Sequence, residues 1–255
     1  MTNDDFIAVI DGSTSKASHR LSRWQSNGRL CMKTIANYIS HAPASITADR
    51  FCKGVTDAVA RHYDKRQMPL YTLHPEERLT ASCIVFSRLQ RQIWMIGDCQ
   101  CLLWLSDKSP SAATRYDNPK PYEERLAHTR ADILRHLIHE GKTQEELLLH
   151  DVGRDAIIPS MIEEMKNQNI TYSVVDGFPI PLLKVRILTL DFHPWTIVLA
   201  SDGYPCLLPT LADSEQALAR QRSTDPLNID SFVATKAFLP DNNSFDDRSY
   251  IKFCV

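Results

Sequence analysis

Three short apolar runs in this chain each end at an aspartate beside a glycine, and no other feature of the sequence constrains the fold as strongly. Phe6-Ile7-Ala8-Val9-Ile10 runs into Asp11-Gly12, Ile93-Trp94-Met95-Ile96 into Gly97-Asp98, and Ile197-Val198-Leu199-Ala200 into Ser201-Asp202-Gly203. A further pair, Asp246-Asp247, precedes a last apolar segment from Tyr250 to Val255. The runs are apolar at successive rather than alternate positions, which predicts strands buried on both faces and sheets that each need a covering layer. Aspartate and glycine are ordinary turn residues after a strand. Carboxylates that rigid strands deliver to one place, however, repel strongly unless a hard cation lies between them. The set therefore points to a metal site.

Composition narrows the surroundings of such a site. The 255 residues, 43% of them hydrophobic, can bury a sizeable core. No internal repeat, low-complexity tract or Gly/Ser linker divides them, so the chain reads as one α+β domain over 1–255. With 29 basic against 31 acidic residues the net charge is −2, which leaves no electrostatic footprint for nucleic acid. No apolar run approaches the ~18 residues of a membrane span. Met1-Thr2-Asn3-Asp4-Asp5 is acidic and leads straight into a strand, so no signal peptide is expected. Seven cysteines without regular spacing fit a reducing compartment, most of them as small core residues. The expectation is a soluble cytoplasmic monomer.

Helical and extended patterns alternate along the chain. After the polar loop Ser13-Thr14-Ser15-Lys16 come two helices, the second with Thr47 as cap and Phe51, Val55, Val59 and Tyr63 at helical spacing. Ser82 to Phe86, Ile93 to Ile96 and Leu102 to Leu105 predict an antiparallel meander. Leu126, Ile133, Leu134, Leu137 and Ile138 share a helix face that Gly141 ends, and Thr143 with Glu146 forms a capping box for the next helix. Strands are predicted at Tyr172 to Val175, Lys184 to Leu190 and Thr196 to Ala200. A helix opened by Asp213-Ser214-Glu215 and the last strand complete the order.

The ordered series Asp11-Gly12, Thr80-Ala81-Ser82, Gly97-Asp98-Cys99-Gln100, Ser201-Asp202-Gly203 and Asp246-Asp247-Arg248-Ser249 resembles the motifs of the PP2C-type metal-dependent protein serine/threonine phosphatases, in a divergent, bacterial-like form. Tyr172 to Gly177 is similar to the strand that precedes the Ser-Asp-Gly motif in small bacterial members. The resemblance covers nearly the whole chain. It implies a four-layer α-β-β-α sandwich with two central antiparallel sheets, and hydrolysis of phosphoserine or phosphothreonine in a phosphorylated protein.

The resemblance also implies two Mn²⁺ or Mg²⁺ ions. Asp11 would bridge both, the Gly12 carbonyl would bind one, and Asp202 and Asp246 the other; Asp98 with Asp202 would match a looser third site. The catalytic residues would thus be Asp11, Asp202 and Asp246, acting through the metals. Oxygen-only ligands select such ions over zinc, and water between two of them has its pKa lowered toward ~7, which supplies a nucleophile without a phosphoenzyme.

Two departures stand out. The family often places histidine directly after Asp-Gly, where this chain has Ser13, and it carries a phosphate-binding arginine on an earlier strand, whereas ten residues precede Asp11. That strand is expected to be missing or replaced, with Lys16 or Arg20 supplying the phosphate contact; a solvated surface charge is the ordinary role of either. His19 and His62 are available proton donors, although a packed or surface histidine is the simpler reading of His62. Cys99 and Gln100 stand where the family has serine and arginine and would affect packing beside Asp98. Trp195 reads as a core or edge aromatic.

Two other classes of function fit parts of the pattern. A non-catalytic relative could bind a phosphoprotein or another regulator. A strand followed by Asp11-Gly12-Ser13-Thr14-Ser15-Lys16 also resembles the phosphate turn of actin-like kinases, which need a second copy of the motif that this chain lacks.

Overall fold

The computed structural model describes residues 1–16, 20–240 and 242–255. In chain order the elements are β1 (Phe6–Gly12), α1 (Asn27–His41), α2 (Ala48–Ala60), α3 (Met68–Leu73), β2 (Ala81–Ser87), β3 (Gln92–Ile96), β4 (Gln100–Leu105), β5 (Thr114–Tyr116), α4 (Glu123–His139), α5 (Gln144–Leu149), α6 (Val152–Met165), β6 (Arg186–Thr189), β7 (Trp195–Ala200), α7 (Leu211–Thr224) and β8 (Tyr250–Cys254). The strands form two four-stranded antiparallel sheets, ordered β1-β2-β3-β6 and β5-β4-β7-β8.

Successive apolar residues in each strand have two faces to fill, and both are filled. Ile7, Val9, Ile84, Phe86 and Met95 of the first sheet meet Cys101, Leu103, Ile197 and Leu199 of the second, which makes the core between the sheets. The alternate residues Phe6, Ala8, Val85 and Trp94 pack outward on α1 and α2, whose Cys31, Ile35 and Ile39 and whose Phe51, Val55 and Val59 recur every four residues. Each such large side chain stabilises the fold by about 1.5–3 kcal/mol when fully buried. On the far face of the second sheet Leu102, Trp104, Val198 and Ala200 pack with Tyr204 and Leu207. The Tyr204 hydroxyl donates to Glu215 at 2.7 Å and so ties α7 to that side. Leu126 of α4 meets Ile157 and Met161 of α6 in a separate cluster. No helix among the described residues is long and apolar enough to cross a membrane.

The structure corrects several expectations about elements. The predicted meander is divided: β2 and β3 form a hairpin, but the chain leaves the first sheet at Gly97 and β4 belongs to the second. Tyr172 to Val175 is no strand: the Val174 N–H is taken by the Asn169 side chain at 3.0 Å, and against β2 only Val175 pairs, exchanging backbone hydrogen bonds with Ala81 at 2.9 and 3.0 Å. Isolated bridges at Tyr172 and Val175 are what remains of it. Thr47 stands at the start of α2 without a capping hydrogen bond from its side chain. The Thr143–Glu146 capping box is present, and α7 is capped by Thr210, whose hydroxyl accepts from Asp213. His62 lies beyond the end of α2 and is exposed, 2.9 Å from the Thr34 hydroxyl. Trp195 is the half-buried first residue of β7.

Candidate metal centre

Strand register gathers the aspartates at one end of the sandwich. Asp11 lies opposite Ser82 at the start of β2, and Cys83 lies opposite Ile96 at the end of β3, which brings Gly97-Asp98 alongside. Gln100 lies opposite Ala200, and Ala200 opposite Tyr250, so Asp202 and the Asp246 segment arrive at the same edge. Gly97 has φ +86°, and a Cβ there would strike the Ser82 side chain. A glycine is therefore required where the chain crosses between sheets and turns Asp98 inward. At Gly12 a Cβ would strike the backbone of Gly28, so the first turn of α1 closes directly on the loop after β1.

Asp11, Gly12, Asp98, Asp202 and Asp246 line one cavity of about 60 Å³, and Glu123, Lys16, Lys120, Arg154 and Lys236 line it with them. Burial pushes the Asp11 carboxyl up to about 6, and the charges of Asp246 and Asp98 add to that; contact with the Asp202 carboxyl opposes it. Asp202 is pushed well above the usual carboxylate range by burial and then by Asp98, Asp11 and Asp246. Its Oδ1 is buried with no hydrogen-bond partner among the described residues. Asp98 behaves oppositely: burial alone would raise it, but the Lys120 ammonium on Oδ2 and the Ser82 hydroxyl, 2.5 Å from Oδ1, outweigh burial and hold it low. Asp246 receives the Lys236 ammonium on Oδ2 and the Asp247 N–H on Oδ1 at 3.0 Å.

The predicted cations part company. Lys16 lines the cavity, and its ammonium is pushed down to about 8 by burial and then by Lys120, Arg154 and Lys236. Arg20 is exposed and is not among the lining residues. His19 lies outside the described residues. Cys99 is buried, and burial followed by the neighbouring carboxylates pushes its thiol well up, so it remains a neutral core thiol. Gln100 does more than pack: its Nε2 donates to the carbonyls of Tyr204 at 2.9 Å and Ser201 at 3.4 Å, fixing the turn that carries Asp202.

Four lining residues, Glu123, Lys120, Arg154 and Lys236, are absent from the sequence reading. Glu123 opens α4, and one carboxylate oxygen from each of Asp98, Glu123 and Asp202 lies within 4.8 Å of the others. Pro119 and Pro121 flank Lys120 and restrain the backbone around it, the one local signal available. Arg154 and Lys236 have no such signal and are placed by a buried network. Arg130 is fully buried in α4 and grips Asp151 through Nε and Nη2, while donating to the carbonyls of Leu227 and Ala234 at 2.9 Å each. Asp151 in turn caps α6 by accepting the Arg154 N–H at 2.8 Å, and accepts the Ala237 N–H at 3.2 Å.

The donor set fits hard divalent ions. Its potential ligands are all oxygens, and the orphaned Asp202 Oδ1 together with two carboxyls raised by burial and then by neighbouring carboxylates is the imbalance a cation would relieve.

No protein-family model and no curated protein matches the chain. Solved structures do resemble it. The catalytic domain of the serine/threonine protein phosphatase PstP in complex with two manganese ions is 11% identical, covers 84% of this chain and 84% of its own, and gives a TM-score of 0.37. PppA, a key regulatory component of T6SS in Pseudomonas aeruginosa, is 13% identical over 84% of this chain and 71% of its own, at a TM-score of 0.38. The serine/threonine phosphatase Stp1 of Staphylococcus aureus is 13% identical over 86% and 78%, at 0.36. The functional reading below rests on the site itself.

Proposed function

We propose that this chain is a divergent PP2C-type enzyme that hydrolyses phosphoserine or phosphothreonine in proteins with the help of Mn²⁺ or Mg²⁺. The observation that carries the reading is the unpartnered Asp202 Oδ1, buried beside Asp11, Asp98 and Asp246 at the convergence of four strand ends. Asp11, the Gly12 carbonyl, Asp202 and Asp246 would hold two ions, and Asp98 with Asp202 a third, to which Glu123 adds a carboxylate. Bound there, such ions acidify water and neutralise phosphoryl oxygens. The chain's own residues do the rest. Ser82 and Lys120 orient Asp98, Lys236 orients Asp246, and Gln100 holds the Asp202 turn rigid so that its carboxylate does not swing away. Phosphate release from a phosphoserine peptide or p-nitrophenyl phosphate, with and without Mn²⁺, tests the reading; release that is metal-independent, or that survives Asp202→Asn, refutes it.

A second reading has one observation behind it. Lys120 on Asp98 and Lys236 on Asp246 already neutralise two of the carboxylates, as a binding module that has given up metal would require. Phosphopeptide binding that is indifferent to chelator, with no turnover, would establish that module. The kinase alternative has no observation in its favour.

A further inference from the structure

The carboxylate cavity has a larger neighbour, of about 230 Å³. Asp98, Asp202 and Asp246 line both, whereas Asp11 and Lys16 line only the first. The larger cavity runs between the start of α4 and the segments that carry Phe232 and Phe245. The metal chemistry proposed above makes no use of this space beyond the shared residues.

Three kinds of group make its walls. Pro205, Val233 and the rings of Phe232 and Phe245, whose centroids are 5.9 Å apart, are apolar. The lining charges do not balance: Arg115 lies 3.6 Å from Asp117 and Lys236 holds Asp246, which leaves Glu123 and Glu124 at the start of α4 in excess. The third kind is a single acceptor. Gln100 is buried and lines the cavity, and its Nε2 donates to the carbonyls of Ser201 and Tyr204, which fixes the orientation of the amide. The remaining Oε1 is buried with no hydrogen-bond partner among the described residues, so a donor brought by a ligand would relieve it.

An occupant that answers all three must offer a hydrocarbon stem, N–H donors and a positive charge. Lysine and arginine do so, the stem against the apolar wall and the head toward the aromatic rings and carboxylates. An aliphatic side chain would leave Gln100 Oε1 unpaired, and an acidic one would meet Glu123 and Glu124. The shared lining places such a side chain close to the phosphoryl group, about one to three residues away along an extended chain.

From this combination we infer that the cavity between the start of α4 and the Phe232–Phe245 pair is a specificity pocket, which selects phosphorylated protein segments that carry a lysine or arginine near the phosphoserine or phosphothreonine. The inference rests on the phosphatase reading for the identity of the substrate, and adds to it the sequence context that the enzyme prefers.

The test uses non-hydrolysable phosphonate analogues of phosphoserine peptides, built of alanine and glycine with a single lysine placed at each position up to about three residues on either side. Binding to the Mn²⁺-loaded full chain, followed by fluorescence anisotropy, needs no turnover. Lysine at the best position should bind about tenfold more tightly than alanine there, arginine should do the same, and glutamate should bind more weakly than alanine. Glu124 is exposed and outside the metal-binding set, so Glu124→Lys tests the pocket on a folded protein. That change should abolish the preference, and Phe232→Ala should reduce it severalfold. Both variants should keep the Mn²⁺-dependent hydrolysis of p-nitrophenyl phosphate, which has no cationic group. The pocket is overturned by absence of peptide binding, by a preference that Glu124→Lys leaves intact, or by a preference equal at every position and lost in salt, which marks surface attraction alone. A position-specific preference with these sensitivities but no Mn²⁺-dependent hydrolysis keeps the pocket and rejects the phosphatase.

Discussion

Two groups of buried charge, a few residues apart in sequence at Asp151 and Arg154, are built on opposite plans. Around Arg130 every charge is answered: the guanidinium reaches Asp151 and the carbonyls of Leu227, Asn228 and Ala234, and both Asp151 oxygens accept hydrogen bonds. Around Asp202 five carboxylates share one cavity with four cations, and one carboxylate oxygen has no partner among the described residues. The first network closes on itself and pins the segment from Leu227 to Ala237 against α4 and α6. The second is incomplete without something from outside. A buried charge satisfied by its own protein is architecture, and several carboxylates crowded into one cavity call for a counter-ion.

Arg130→Ala should break the first network and cost about 3–5 kcal/mol, because Asp151 would keep a buried charge without its counter-ion; urea unfolding measures it. The same experiment on metal-free Asp202→Asn should show no loss or a gain, since a carboxyl whose charged form burial and the neighbouring aspartates disfavour gives way to a neutral amide. An equal loss in both variants would erase the distinction between the two groups of charge. Asp202→Asn should instead lower Mn²⁺-dependent phosphate release by at least about 10²-fold, read from initial rates. Smaller is the effect of the ligand on folding: Mn²⁺ at 100 times its dissociation constant should stabilise wild type by about 2.7 kcal/mol. Melting followed with and without the ion should show most of that gain absent in Asp202→Asn. Smallest is an exposed pair: Lys53 and Asp57 meet at 2.7 Å on α2 with side chains 77% and 52% exposed. Lys53→Ala should change the unfolding free energy by less than about 0.5 kcal/mol.

The fold was legible where a local rule and a buried face coincide. The doubly apolar strands announced sheets covered on both sides, and residues at fourfold spacing in α2 announced the helix that covers one. Legibility failed where backbone groups found side-chain partners, as at Val174 and Lys184, and where a sheet boundary depended on the single turn at Gly97. Within the site, Asp11, Asp98, Asp202 and Asp246 could be named because each ends or precedes a strand. Glu123, Arg154 and Lys236 could not, since each is an unremarkable charged residue on a helix or loop until another segment is laid against it.

The sequence by itself determined which residues must be buried and which carboxylates rigid strands would carry, because side-chain periodicity and turn chemistry act over a few residues. Tertiary structure decided which charges those carboxylates would meet. Lys120 on Asp98, Lys236 on Asp246 and the place of Lys16 and Arg154 beside them are set by packing between α4, α6 and the two sheets. Electrostatic energy depends on separation in space and on burial, and neither quantity is written in the spacing of residues along a chain.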